Sequence, residues 1–84
     1  MRLQVSRELM QAMYQADHAE LRQMIRQLFS DPRPGWAMPV TGESNIYEFT
    51  VAGLWVRYHI QTTASGETVI QAAVVSQPFF LAQL

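Results

Sequence analysis

The segment Leu54–Gln61 alternates strictly between apolar and other residues, which predicts a β-strand. At alternating positions it carries a cation, Arg57, an imidazole, His59, and an amide, Gln61. Trp55, Arg57, His59 and Gln61 share one side of that strand, and the apolar residues between them share the other. Imidazole can transfer a proton near neutral pH, and a guanidinium can bind phosphate or a developing anion. We therefore name Arg57 and His59 as candidate catalytic residues with the chemistry that ribonucleolytic transfer to a 2′-hydroxyl needs.

A simpler explanation of the same residues comes from the hairpin that contains them. If Ala52-Gly53 is its turn, Glu48 lies opposite Arg57, and the two form an ion pair on a solvated face. Trp55 is then a base-stacking residue or an anchor for a protein interface, and we favour the anchor. Both explanations of this face stay open at this point.

The next strand is predicted over Glu67–Val75, after a turn at 63–66. With Thr62 opposite Glu67, Ile70 falls beside His59 and Val74 falls near Trp55 on the same face. An apolar patch among polar residues is typical of a contact surface. A second copy of the chain or the segment 79–81, which follows Pro78, is expected to cover it if it is not a binding site.

Two helices are predicted before these strands. Ser6 caps the first, with an apolar stripe of Leu9, Met10, Met13 and Ala16, and Asp17 with Glu20 starts the second. The second carries a regular stripe of Leu21, Met24, Ile25, Leu28 and Phe29 and ends before Pro32. Arg26 and Arg33, together with Arg22, are candidates for phosphate contacts, although a solvated helix face is the commoner explanation.

Composition excludes several kinds of site. All six basic residues are arginine, the net charge is −1, and cysteine is absent. Lysine Schiff-base chemistry, thiolate catalysis and cysteine-bound metal are therefore excluded. We expect no metal and no cofactor, because His18 and Glu20 lack a third ligand at useful spacing.

The predicted elements describe one α+β domain over residues 1–84. A short strand at Arg2–Val5 precedes the helices, which pack on one face of an antiparallel meander of three or four strands. The long connection Asp31–Asn45 joins helix to meander, and its Trp36 is expected to pack back over the core. No signal peptide or membrane-spanning run is evident, which predicts a cytoplasmic protein.

This order of elements resembles that of the RelE/ParE family, the toxins of bacterial toxin–antitoxin pairs. The more specific similarities are the segment 28–34, Gly42, Tyr47-Glu48-Phe49, and Val56-Arg57-Tyr58 with Ile60 after it. The resemblance implies a RelE/ParE-like fold, a growth-inhibiting activity against ribosome-bound messenger RNA or DNA gyrase, and neutralisation by a cognate antitoxin. RelE-type cleavage uses lysines and a late basic residue. This chain has no lysine, and it has Gln77 where the late basic residue is often found, so whether it catalyses cleavage is left open.

A second hypothesis needs no catalysis. The near-neutral charge and the predicted apolar patch around Trp55 also fit an interaction module, such as a homodimer that assembles through this face of the sheet.

Overall fold

The computed structural model describes residues 1–75 and has a five-stranded sheet and two α-helices. The elements are β1 Arg2–Val5, α1 Arg7–Met13, a 3-10 turn Ala16–His18, α2 Ala19–Gln27, β2 Met38–Pro39, β3 Ile46–Val51, β4 Leu54–Thr62 and β5 Thr68–Val74. The strand order is β1-β5-β4-β3-β2. The predicted α+β class is confirmed, as is the three-stranded meander of β3, β4 and β5.

The sheet as a whole is mixed, which corrects the expectation of a purely antiparallel one. Strand β1 runs parallel to β5, with Arg2 opposite Val69 and Val5 opposite Ala72. The two-residue strand β2 forms inside the long connection and pairs with β3. Neither feature has a local signal, because one pairing joins the two ends of the described chain and the other has only two residues.

The first helix begins as predicted, and the second does not. Ser6 Oγ accepts a hydrogen bond from the Leu9 backbone N–H at 3.2 Å, so Ser6 is the N-cap of α1. Asp17 lies inside the 3-10 turn, and α2 starts after His18 without a side-chain cap. Arg22 links α2 to the end of α1, since its Nη1 donates to the carbonyls of Met13 and Gln15, each at 2.7 Å.

The core lies between the helices and one face of the sheet. Its fully buried members include Leu9, Leu21, Ile25, Leu28, Val56, Tyr58 and Ile70. Three residues of the predicted stripes are outside it, since Met10 is 40% and Phe29 50% exposed and Ala16 is exposed in the 3-10 turn. For Phe29 the reason is the end of α2, where its N–H donates to the Arg26 carbonyl three residues back. This tighter 3-10 geometry rotates Phe29 off the stripe.

The register of the first hairpin agrees with the prediction. Val51 pairs with Leu54, Glu48 with Arg57 and Thr50 with Trp55. Ala52 and Gly53 both have positive φ, at 51° and 78°, which is the geometry of a two-residue hairpin turn whose twist matches the strands.

The register of the second hairpin is one residue away from the prediction, and this moves Ile70 and Val74 to the core face. Thr62 pairs with Thr68, and the Thr63 N–H donates to the Glu67 carbonyl at 2.8 Å, so the loop between them has three residues, 64–66, of which Gly66 has φ +87°. A shift of one residue exchanges the two faces of a strand. Ile70 is therefore fully buried among core residues, and Val74 packs against the same cluster. The predicted apolar patch of Ile70 and Val74 beside Trp55 is wrong.

The connection between α2 and β3 returns over the core, as expected for Trp36. The Trp36 ring meets the Phe49 ring edge-on at 4.9 Å, and Tyr58 Oη donates to the Pro32 carbonyl at 2.8 Å. Among residues 1–75, no helix has the length and apolar character needed to cross a membrane. The predictions for Pro78 and the segment 79–81 lie outside the described residues.

Candidate functional site

We call the side of the sheet away from the helices the outer face. The candidate pair Arg57 and His59 lies there on β4, together with Glu48 from β3. Arg57 Nη2 is 3.0 Å from Glu48 Oε1, so the cross-strand ion pair that the register suggested is present. Their side chains are 39% and 19% exposed, which makes this pair partly shielded from water. The charge of Arg57 is thus already compensated by Glu48.

Arg57 is held on a second side by Trp55. Its guanidinium carbon lies 5.8 Å from the centre of the Trp55 ring, within the range of a cation–π contact. Arg57 Nε is buried and has no hydrogen-bond partner among the described residues. The carboxylate and the ring hold this guanidinium in place, so Arg57 is better suited to organising the face than to binding a phosphate directly.

His59 is paired with Gln61 two residues along the strand. Gln61 Nε2 and His59 Nδ1 are 3.1 Å apart. With the amide nitrogen as donor, Nδ1 is the acceptor, and in the neutral ring Nε2 then carries the proton. The Gln61 amide therefore holds the imidazole in place, and in this orientation of the amide it selects the tautomer with the proton on Nε2.

A second arginine, Arg33, lines a cleft together with His59 and Gln61. The cleft is open, has a volume of about 530 Å³ and lies where β3 begins. We call this space the end cleft. Its complete lining is Arg33, Asn45, His59, Ile60, Gln61, Thr62 and Thr63.

Arg33 is fixed in the end cleft by three contacts. Its Nη2 donates to Asn45 Oδ1 at 2.7 Å, its Nε donates to Tyr47 Oη at 3.1 Å, and its backbone N–H donates to Asp31 Oδ1 at 3.0 Å. No carboxylate forms an ion pair with Arg33 among residues 1–75. Unlike Arg57, Arg33 therefore brings an uncompensated guanidinium to the cleft.

Two stacked tyrosines, Tyr47 and Tyr58, lie next to Arg33. The Tyr47 and Tyr58 ring centres are 5.6 Å apart, and the Arg33 guanidinium carbon lies 5.9 Å from the Tyr47 ring centre. Burial, followed by the neighbouring Tyr47, raises the pKa of Tyr58 to about 12. Tyr58 consequently stays protonated and keeps donating to the Pro32 carbonyl, which anchors the chain just before Arg33.

The structure thus divides the predicted site residues into groups. Glu48, Trp55 and Arg57 form one patch on the outer face, and Arg33, His59 and Gln61 line the end cleft beside it. His59 connects the two groups, because it also lines a shallow cleft together with Arg57. Arg26 belongs to neither group, because it lines a separate groove with Arg22 on α2. Ile70 and Val74 lie on the core face.

Sequence reasoning did not name Asn45 and Thr63 as site residues. Asn45 has φ 64°, a conformation that asparagine adopts more readily than other non-glycine residues, and its side chain positions Arg33. Asparagine just before a strand is a usable signal for such a residue. Thr63 has no comparable signal, because it reaches the cleft through the length of the following loop.

Chemically, the end cleft combines a guanidinium without an ion pair among the described residues, two side-chain amides, two threonine hydroxyls and an imidazole. Such a set suits the recognition of an anion, and an imidazole can exchange a proton with a bound group. Comparison with protein-family models, curated protein sequences and solved structures finds no match to this chain.

Proposed function

We propose that this chain is a growth-inhibiting toxin of the RelE/ParE type, which acts on translation or on DNA gyrase and is neutralised by a cognate antitoxin. The observation that carries the proposal is the end cleft, which Arg33, His59 and Gln61 line together although Arg33 and His59 are 26 positions apart in the chain. The cleft joins anion recognition to proton transfer without lysine or cysteine.

The element order supports the same proposal. A strand, two helices on one side, a proline-containing connection and a three-stranded meander follow one another as the resemblance implies. The RelE/ParE-like fold is part of what we propose.

The residues have distinct roles in this proposal. Arg33 binds a phosphate or carboxylate of the target, because its charge is uncompensated and three contacts fix its position. His59 exchanges a proton with the bound group if the target is RNA, and Gln61 orients it. Arg57 is a positioning residue, since its guanidinium is already bound by Glu48.

The competing hypothesis of an assembly module is weakened by the register of β5. Its main support was an apolar patch of Trp55, Ile70 and Val74, and two of these three residues belong to the core face. Trp55 and Ile46, which pairs with His59, remain on the outer face. If a homodimer forms through this face nonetheless, Trp55→Glu converts it to a monomer, which light scattering can measure directly.

The test of the proposal is expression of the chain alone in bacteria under a tightly controlled inducer. We expect growth arrest, and we expect Arg33→Gln to relieve it. The matched control is Arg7→Gln, which removes the same charge from an exposed position at the start of α1 and is expected to leave the arrest intact.

Transcript integrity and a DNA-damage reporter, followed in the same cultures, separate the two targets. Cleaved transcripts indicate a ribonuclease, and DNA damage with intact transcripts indicates gyrase. Unimpeded growth with soluble, folded wild-type protein would overturn the proposal. Equal relief by Arg33→Gln and Arg7→Gln would remove the end cleft from it.

A further inference from the structure

A pocket that carries both tryptophans of the chain lies between α2, the 31–45 connection and the hairpin of β3 and β4. We call it the tryptophan pocket. Its volume is about 430 Å³, and Trp36, Phe49 and Trp55 contribute three aromatic rings to its lining. Binding sites for small molecules are clefts of about 300–1,000 Å³ with mainly apolar and aromatic walls. The tryptophan pocket has the size and the character of such a site.

Two of these rings form a corner. The Trp36 and Phe49 ring centres are 4.9 Å apart, and their planes are inclined at 72°. Trp36 is held there by a hydrogen bond of 3.2 Å from its Nε1 to Gln27 Oε1. Because the two rings do not stack flat, a ligand in the corner can contact a ring face. The face of an aromatic ring is negative and attracts a cation.

The charge of the pocket also favours a cation. Glu48 is the one ionisable residue among the described residues that line it. Its Oε1 accepts a hydrogen bond of 3.0 Å from Arg57 Nη2, which fixes the carboxylate at the pocket wall. Arg57 itself is not part of the described lining. A ligand in the pocket therefore meets a carboxylate and three aromatic rings, and among residues 1–75 no arginine or histidine lines the same space.

Two methionines give the pocket an adjustable wall. Met24 of α2 and Met38 of β2 both line it, and Met38 is 69% exposed. Methionine has an unbranched, polarisable side chain that repacks around ligands of different shape. These two side chains can therefore pack on an apolar body attached to the cation.

From these observations we infer that the tryptophan pocket binds a small organic cation in which a quaternary ammonium group is joined to an apolar body. The ammonium group contacts the rings of Trp36 and Phe49 and lies in the field of the Glu48 carboxylate. The apolar body packs on Met24 and Met38.

Other small ligands fit this pocket less well. A primary ammonium group is strongly hydrated, and the Glu48 carboxylate already accepts a hydrogen bond from Arg57, so the mainly apolar lining would compensate poorly for the lost water. An anion is repelled by Glu48. The inference does not depend on the proposed function, since the tryptophan pocket and the end cleft have no described lining residue in common.

The first experiment is a titration of the purified full-length chain with benzyltrimethylammonium. Because both tryptophans line the pocket, we expect saturable quenching of intrinsic fluorescence and a shift of both indole N–H signals in a heteronuclear NMR spectrum. Choline and dimethylbutanol, its analogue with a carbon atom in place of the nitrogen, then isolate the charge. We expect choline to bind about tenfold more tightly or better. Equal binding of these two compounds, or no binding of benzyltrimethylammonium, would overturn the inference.

A first pair of variants tests the carboxylate. Glu48→Gln is expected to weaken the binding of benzyltrimethylammonium by about tenfold or more, because it removes the negative charge and leaves Arg57 uncompensated beside the pocket. Glu20→Gln, the same change at an exposed position of α2 outside the pocket, is the matched control and is expected to leave the affinity unchanged. Equal affinities of the two variants would contradict the inference.

A second set tests the aromatic rings by calorimetry. Trp36→Phe keeps a ring and is expected to retain most of the affinity, whereas Trp36→Leu removes the ring and is expected to weaken binding by about tenfold. Replacement of both tryptophans by fluorotryptophan preserves their size and reduces the negative charge of the ring face, so it tests the same contact if Trp36→Leu does not fold. An affinity for benzyltrimethylammonium that fluorination leaves unchanged would contradict the contact between ring and cation.

The same samples identify other occupants of the pocket. A concentration-dependent doubling of mass in light scattering, without binding of benzyltrimethylammonium, would mean that a second copy of the chain covers the pocket. A shift of the His59 and Gln61 signals without a shift of the indole signals would place the cation in the end cleft. Either result overturns the inference. All of these measurements use purified protein and no growth assay, so their failure is distinct from failure of the proposed function.

Discussion

The two faces of strand β4 hold their side chains in different ways. On the core face, Val56 and Tyr58 are completely buried and are fixed by packing on all sides. On the outer face, Arg57 and His59 are only half-buried, and each is fixed by one or two specific neighbours. The first arrangement supplies stability, and the second leaves polar atoms accessible for binding. Substitutions on the two faces should therefore have separable effects.

The largest expected effect tests which face β5 presents to the core. Ile70→Glu places a carboxylate in the fully buried position of Ile70, and we expect a loss of about 4 kcal/mol or more, enough to unfold a domain of this size. Gln71→Glu makes the same group at the exposed neighbouring position and is expected to cost about 1 kcal/mol or less, including loss of the exposed hydrogen bond to Gln4. Urea unfolding of both variants measures the difference. Similar stability of the two would contradict the observed register.

The second effect is a loss of stability at alkaline pH. Burial raises the pKa of Tyr58 to about 12, above its value of 10.0 in an exposed tyrosine. The folded state then keeps this proton more tightly than the unfolded state, so the contribution is complete below pH 10 and is lost as the pH rises toward 12. Unfolding in urea at a series of pH values should show the decline in wild type and a smaller one in Tyr58→Phe.

A smaller effect is expected from Tyr58→Phe at neutral pH. The variant loses the hydrogen bond to the Pro32 carbonyl but keeps the ring, so we expect a destabilisation of about 1 kcal/mol. Because this bond anchors the chain before Arg33, hydrogen exchange at the backbone amides of Asp31 and Arg33 should also become faster. An unchanged exchange rate there would show that other contacts hold the segment.

The smallest effect belongs to the outer face. Glu48→Gln removes the charge opposite Arg57, and since that pair is partly shielded we expect a cost of about 1 kcal/mol or less. Glu43→Gln, at an exposed position without an ion pair among the described residues, is the control. If Glu48→Gln lowered the free energy of unfolding as much as Ile70→Glu does, the outer face would contribute to stability as strongly as the core.

The first hairpin could be predicted from sequence because every signal for it is local. The Ala52-Gly53 turn and the alternation on either side of it fix the same register, and the Glu48–Arg57 pair follows directly. The second hairpin has an ambiguous turn, since 63–66 can close with three or four loop residues. In the structure Gly66 has a positive φ and the loop has three residues. This register places Ile70 on the core face.

The end cleft was predictable only in part. His59 and Gln61 share a strand face by alternation, so their proximity follows from the sequence. The approach of Arg33 depends on the path of the 31–45 connection, on Tyr58 holding Pro32 and on Asn45 at positive φ. These are tertiary contacts, and no periodic pattern encodes them.

The parallel pairing of β1 with β5 determines when the molecule can be completed during synthesis. Gln4 and Gln71, joined by a side-chain hydrogen bond of 3.0 Å, are separated by 67 positions in the chain. Strand β1 is the first of the described elements to be made, and its partner β5 is the last of the described strands. The meander can form from local contacts, whereas the first strand must wait until nearly the whole described chain has been translated. The strand of this sheet that is made first is therefore the last one able to pair.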